Sequence, residues 1–136
     1  MTEAATSQTG NEFDIVILGA GSGGYACALR ATQLGLSVAL VEKGNLGGTC
    51  LHVGCIPTKA LLHAAEVADN ARESEQFGVK ATFEGIDVPA VHKYKDEVIT
   101  GLYKGLQGLI ASRKVTYIEG ETTSGGRRAG GLGRRP

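Results

Sequence analysis

The chain of 136 residues has only three cysteines, no apolar run approaching 18 residues and no net charge. So few cysteines rule out a disulfide-stapled secreted scaffold and fit a reducing, cytoplasmic compartment. The lack of a long apolar run leaves no candidate for a membrane-spanning helix. The leader, residues 1–11, contains neither a basic residue nor an apolar stretch, so it reads as a disordered tail, not a transit or signal peptide. Zinc would call for Cys-x2-Cys pairs or four clustered ligands, and Cys50, His52, Cys55 and the more distant His63 have the wrong spacing, so no metal is expected. The zero net charge conceals two unequal parts. Residues 1–124 carry ten basic and fourteen acidic side chains, whereas Gly125 to Pro136 carries four arginines, five glycines and no acid. Such a tail cannot bury a core and is expected to be disordered. Four arginines without aromatics give no support to a nucleic-acid or lipid partner.

What remains is one domain's length of chain, enough to bury a core, with its chemistry concentrated in one block. Gly47-Gly48-Thr49-Cys50-Leu51-His52-Val53-Gly54-Cys55-Ile56-Pro57-Thr58-Lys59 places two cysteines five apart at the entrance to a helix. In a regular helix their Cα atoms would lie roughly 8.6 Å apart. A disulfide needs less than about 7 Å, so pairing requires a distorted turn. Gly54 offers the freedom for it, and Pro57 suits a first helical turn. As a staple the bridge would contribute only about 2 kcal/mol before strain, which suits redox turnover better than structure. Cys55 would face the positive end of a helix dipole, which favours a thiolate. The competing reading is two buried, reduced cysteines acting as small hydrophobes.

Upstream, the apolar run Phe13 to Leu18 ends in Gly19-x-Gly21-x-x-Gly24 and opens a small-residue helix from Tyr25 to about Leu34, stopped by Gly35. Gly19 would make the tight turn, Gly21 would let the backbone approach a pyrophosphate, and Gly24 would let the helix pack on the strand. A second apolar run, Val38 to Val41, closes on Glu42, which lies 23 residues after Gly19, where a carboxylate can accept ribose hydroxyls. Cys27, inside the helix, is expected to be a buried packing residue. Opening a disulfide calls for a two-electron carrier that can form and release a sulfur adduct, which favours FAD over NAD at this site. Lys59, a cation in a first helical turn, opposes the dipole, so it is either a solvated surface residue or engaged by a ligand.

The run Gly47 to Leu62, continuing Cys-Ile-Pro-Thr-Lys-Ala-Leu-Leu, resembles the flavin-dependent pyridine-nucleotide disulfide oxidoreductases. The resemblance covers about Phe13 to Glu121. Within that family the block is most similar to the branch that oxidises dihydrolipoamide. Glutathione and trypanothione reductases share the cysteines but typically carry a second lysine at the place of Thr58 and lack the Ala60-Leu61-Leu62 ending; mercuric reductases are nearer. The resemblance implies that Cys55 contacts the flavin as its charge-transfer thiolate and that Cys50 is the interchange thiol. It also implies that Gly19, Gly21, Gly24, Glu42, Lys43, Gly48, Thr49 and Lys59 line FAD. His52 stands where many members have Asn and receives no catalytic role. For the complete enzyme the resemblance implies NAD as co-substrate, a homodimer, and a lipoamide-bearing acyltransferase of a 2-oxo acid dehydrogenase complex as partner. A non-catalytic flavin-binding fragment is the alternative.

Past the block, a helix from about Thr58 runs through Leu61, Leu62, Ala65 and Ala68 and fades near Gly78. Val79, Ala81 and Phe83 read as an edge strand or a loop. Asp87-Val88-Pro89 opens a long helix whose apolar face, Val91, Tyr94, Val98, Leu102, Leu106 and Leu109, is expected to pack the core. Residues 114–119 read as a strand. The order strand, helix, strand, helix pair, strand predicts an α/β, Rossmann-like FAD-binding domain with a parallel, doubly wound sheet flanked by helices, incomplete at its C-terminal side. Residues 12–121 form this portion and 122–136 an atypical Gly/Arg-rich tail. Family members usually continue Gly-x-Gly after this strand and run on far longer, so a truncation or shifted frame is expected after Gly120-Glu121-Thr122.

Overall fold

The structure, a computed structural model, describes residues 12–122 and 132–133. Along the chain lie β1 (Ile15–Leu18), α1 (Ser22–Gln33), β2 (Val38–Glu42), α2 (Gly48–His52), α3 (Cys55–Arg72), α4 (Val88–Ser112) and β3 (Thr116–Glu119). A short antiparallel pair follows, β4 (Glu121–Thr122) with β5 (Leu132–Gly133). The remainder of the predicted leader and tail lies outside the described residues.

β1, β2 and β3 form one parallel sheet in that order. Ile15 stands opposite Val38 and Leu18 opposite Val41, while Ala39 meets Thr116 and Glu42 meets Glu119. β2 is the central strand and reads Val-Ala-Leu-Val without a polar interruption, as a strand covered on both faces should. Its entry is pinned to β1. The Asp14 carboxylate accepts from the Ser37 amide at 2.7 Å and the Ser37 hydroxyl at 2.6 Å, and the Asp14 amide donates back to Ser37 Oγ at 2.9 Å. This pairing sets the register at the start of both strands.

Ile15, Ile17, Val38 and Leu40 alternate onto the sheet face that meets α1 through Ala28 and Ala31 and α4 through Ile110. That cluster is the core. α1 is closed by Gly35, whose φ of +85° is the left-handed conformation that costs glycine nothing. The parallel α/β arrangement agrees with the sequence reading. Boundaries differ: α1 begins at Ser22, not Tyr25, and α3 at Cys55, not Thr58, because first-turn amides need no intrahelical acceptor and so Pro57 is no obstacle inside the helix. Residues 79–86 form no strand. Phe83 instead lies under the Arg72 guanidinium, 4.2 Å from ring centroid to Cζ. Cys27 is exposed on α1, contrary to the expected packing role, since the face of α1 turned to the sheet is the one carrying Ala28 and Ala31.

Candidate functional site

The carboxyl ends of the three parallel strands open together, the place where open α/β sheets receive ligands. A cleft of about 250 Å³ lies there, lined by Gly19, Val41, Glu42, Lys43, Gly120, Glu121 and Thr122. Gly19 turns the chain off β1 with φ +92°, and its amide donates to the Val41 carbonyl at 2.7 Å. A Cβ on Gly24 would overlap the Gly19 carbonyl, so this glycine is required for α1 to approach the strand. A Cβ on Gly21 would meet nothing within 4 Å. Gly21 is the residue preceding α1, so open space lies directly at the helix N-terminus, where phosphate oxygens bind amides and the dipole. This open cradle fits a dinucleotide pyrophosphate.

Glu42 borders the same cleft. Its Oε2 accepts from the Ala20 amide at 2.7 Å and its Oε1 from the Gly44 amide at 2.8 Å. The Gly44 hydrogen bond holds the carboxyl below its ordinary pKa against the opposing effect of burial, with the Ala20 bond and the Lys43 charge assisting. It is thus a carboxylate with lone pairs left to accept hydroxyls. Lys43 pairs with Glu121, 3.6 Å distant, on the exposed rim of the same cleft.

The two cysteines occupy different helices. Cys50 lies within α2 and Cys55 is the first residue of α3, with Val53 and Gly54 forming the break between them. A Cβ on Gly54 would approach the Thr49 carbonyl to 3.0 Å, so glycine allows the turn that folds Cys55 back toward Cys50. Both are free thiols. A hydrogen bond to Cys55 raises the Cys50 pKa above the ordinary thiol range; burial adds to the rise and the Lys59 charge opposes it. Lys59 and Thr49 are exposed beside the pair. Gly48, with φ +59°, would bring a Cβ to 2.9 Å from Gly21 Cα, so α2 starts in contact with the phosphate loop. A mainly apolar cavity of about 380 Å³ also reaches Cys50, lined by Tyr25, Leu51, Ile56, Leu102, Leu106 and Leu109 together with Gly47, Gly101 and Gly105.

Sequence reasoning did not find two contacts of this site. The Leu46 carbonyl accepts from His52 Nε2 at 2.9 Å, and the His52 ring meets Tyr103 edge-on at 5.0 Å. No local pattern signals either one, because Tyr103 comes from α4. His63 and His92 lie exposed on α3 and α4, as expected for solvated helix residues. Among the described residues no group of His, Cys, Asp and Glu could hold a metal ion, and no helix is long and apolar enough to cross a membrane.

Residues 13–129 match the family model described as pyridine nucleotide-disulphide oxidoreductase. Similar proteins include dihydrolipoyl dehydrogenases of Bacillus subtilis, 50% identical over 109 residues, and of Staphylococcus aureus, 48% identical over 110. The mitochondrial dihydrolipoyl dehydrogenase 1 of Arabidopsis thaliana is 43% identical over 122 residues. The alignments take in 80%, 81% and 88% of this chain but 23%, 24% and 24% of those relatives, so the chain spans about a quarter of their length. With the family match running through the glycine loop, Glu42 and both cysteines, the chain belongs to the pyridine nucleotide-disulphide oxidoreductase family.

Proposed function

We propose that this chain is the FAD-binding and dithiol-bearing portion of an enzyme that oxidises dihydrolipoamide to lipoamide and passes the electrons to NAD. The observation that carries the reading is the pair of free thiols, Cys50 and Cys55, set on either side of the Gly54 turn at the end of a helix that starts against Gly21 of the glycine loop. Gly19, Gly21 and Gly24 shape the phosphate cradle, Glu42 takes the ribose hydroxyls, and Lys43, Gly48, Thr49 and Lys59 border the path from there to the thiols. FAD, when bound, supplies a two-electron carrier between the thiols and NAD.

In the oxidised pair, a substrate thiolate attacks the Cys50 sulfur and the bond to Cys55 breaks, leaving the electron pair on Cys55. The second substrate thiol then displaces Cys50, which takes up a proton as the cyclic disulfide departs. The placement suits these roles, because Cys55 is the first residue of α3, where the helix dipole favours a thiolate, and Cys50 borders the apolar cavity. The apolar cavity at Cys50 favours an aliphatic dithiol over a charged peptide disulfide such as glutathione. For the whole protein the reading includes a cytoplasmic homodimer serving the lipoamide-bearing acyltransferase of a 2-oxo acid dehydrogenase complex, supported by the similarity to dihydrolipoyl dehydrogenases.

The test is spectroscopic. With FAD added, Cys50→Ser is expected to develop a long-wavelength thiolate-to-flavin absorption band and Cys55→Ser to show none. The band appearing in the second variant instead would exchange the two roles, and failure of the wild-type chain to retain FAD would remove the cofactor assignment.

A further inference from the structure

One peptide unit joins the nucleotide loop to the redox turn. The amide of Gly47 donates to the Ala20 carbonyl at 2.8 Å, and the carbonyl of Leu46, the other end of that same planar unit, accepts from His52 Nε2 at 2.9 Å. Ala20 is tied onward, its own amide donating to Glu42. His52 belongs to α2, two residues after Cys50. The helix it sits on spans Gly48–His52, far too short to hold its place by its own hydrogen bonds, so its position depends on such anchors. The half-buried ring is gripped from a second side by Tyr103 of α4, edge-on at 74°. Because a carbonyl only accepts, Nε2 carries the hydrogen, whatever the state of Nδ1.

We propose that His52 is the positioning residue that fixes the Cys50–Cys55 pair against the phosphate loop through the Leu46–Gly47 peptide. The inference rests on the redox reading of the two cysteines and adds a role for the side chain between them. Holding α2 in one place keeps the two sulfurs at a high effective concentration, so the hydrogen bond stabilises the disulfide relative to the dithiol. Tyr103 steadies the ring but supplies no bond to the loop.

The test uses the full chain with Cys27→Ser in every variant, so that Cys50 and Cys55 are the sole thiols. Each protein is equilibrated in glutathione buffers and its thiols are trapped by alkylation and counted by mass. In the reaction one Cys50–Cys55 bond forms, one glutathione disulfide breaks, and the two protons and two electrons leave as two reduced glutathiones. His52→Phe keeps a ring against Tyr103 but has no donor, and it is expected to lower the equilibrium constant for oxidation about fivefold, as loss of one hydrogen bond should, or about 20 mV. His52→Ala should fall at least as far. His52→Gln places an amide N–H near the position of Nε2 and should return the constant to within about twofold of wild type. Were His52 merely a packing residue, His52→Phe would match wild type, and that result overturns the proposal, as does a His52→Gln value as low as that of His52→Phe. If His52→Ala does not fold, the Phe and Gln variants decide alone. A wild-type chain that forms no Cys50–Cys55 disulfide in any buffer would overturn the redox reading itself, an outcome visible before any His52 variant is compared.

Discussion

Glu42 shows how a single side chain can tie two turns to the end of a strand. Its two oxygens hold the amides of Ala20 and Gly44, which fixes the glycine loop after β1 to the end of β2. The Gly44 hydrogen bond depresses its pKa, so the folded state binds this proton less readily than the unfolded chain. The contribution is therefore complete above the ordinary carboxylate value of 4.5 and disappears as pH falls through the lower, folded value. Asp14, depressed chiefly by its hydrogen bond from the Ser37 side chain, adds in the same direction. Acid titration followed by circular dichroism should show the wild type losing stability below about pH 4.5, with Glu42→Gln less stable at pH 7 and less sensitive to acid below that point. Identical acid limbs for the two proteins would remove Glu42 from this account. The glycines, Glu42 and the cysteine block were legible in the sequence because each answers a local geometric demand. The two hydrogen bonds to Glu42 and the His52–Tyr103 contact were not, because they depend on where other elements come to rest.

Among the elements, α4 is the instructive case. Its helical period was plain in the sequence, and the Asp87 cap is as expected, with Oδ1 accepting from the Ala90 amide at 3.0 Å. The direction of its buried stripe was not. Ile110 is 3% exposed and packs into the core with Tyr103 and Leu106, whereas Leu102 and Leu109, expected on the core face, are 48% and 41% exposed and line the cavity beside Cys50. The reason is that the chain offers apolar residues at 102, 103, 106, 109 and 110, a stripe wide enough for two neighbours, and periodicity alone does not say which neighbour is the sheet. Ile110→Ala should therefore cost about 2–4 kcal/mol in urea unfolding, and Leu109→Ala under about 1 kcal/mol. If both substitutions cost the same, α4 sits rotated from the position described. The turn at Gly54 between the two cysteines was legible, but the separate short helix α2 before it was not, because five residues carry too little side-chain pattern to show a helical period.

At the scale of the whole molecule, the described residues offer one cleft at the strand ends and one thiol pair, to be weighed against a proposed reaction that needs more. Hydride exchange between NAD and a flavin requires a second nucleotide site, and the sequence contains no further Gly-x-Gly-x-x-Gly after a strand. Thiol exchange at speed also requires a base close to Cys50. His52 is committed to the Leu46 carbonyl, His63 is paired with Glu66 at 3.2 Å on the surface of α3, and His92 is exposed near the start of α4. The sheet is also one-sided at its edge. Ile15 and Ile17 face the helices, while Val16 and Leu18 on the opposite face of β1 are 51% and 58% exposed, unusual for a parallel sheet, which is ordinarily covered on both sides. With β1 also an edge strand among the described residues, its outer backbone and bare valine and leucine favour association between copies at high concentration. The 136-residue chain is therefore expected to show no NADH-dependent turnover of lipoamide above background, in the presence of FAD and at dilutions where sedimentation shows no aggregate. Turnover well above background that disappears in Cys50→Ser would show that one nucleotide cleft and these two thiols suffice for the reaction.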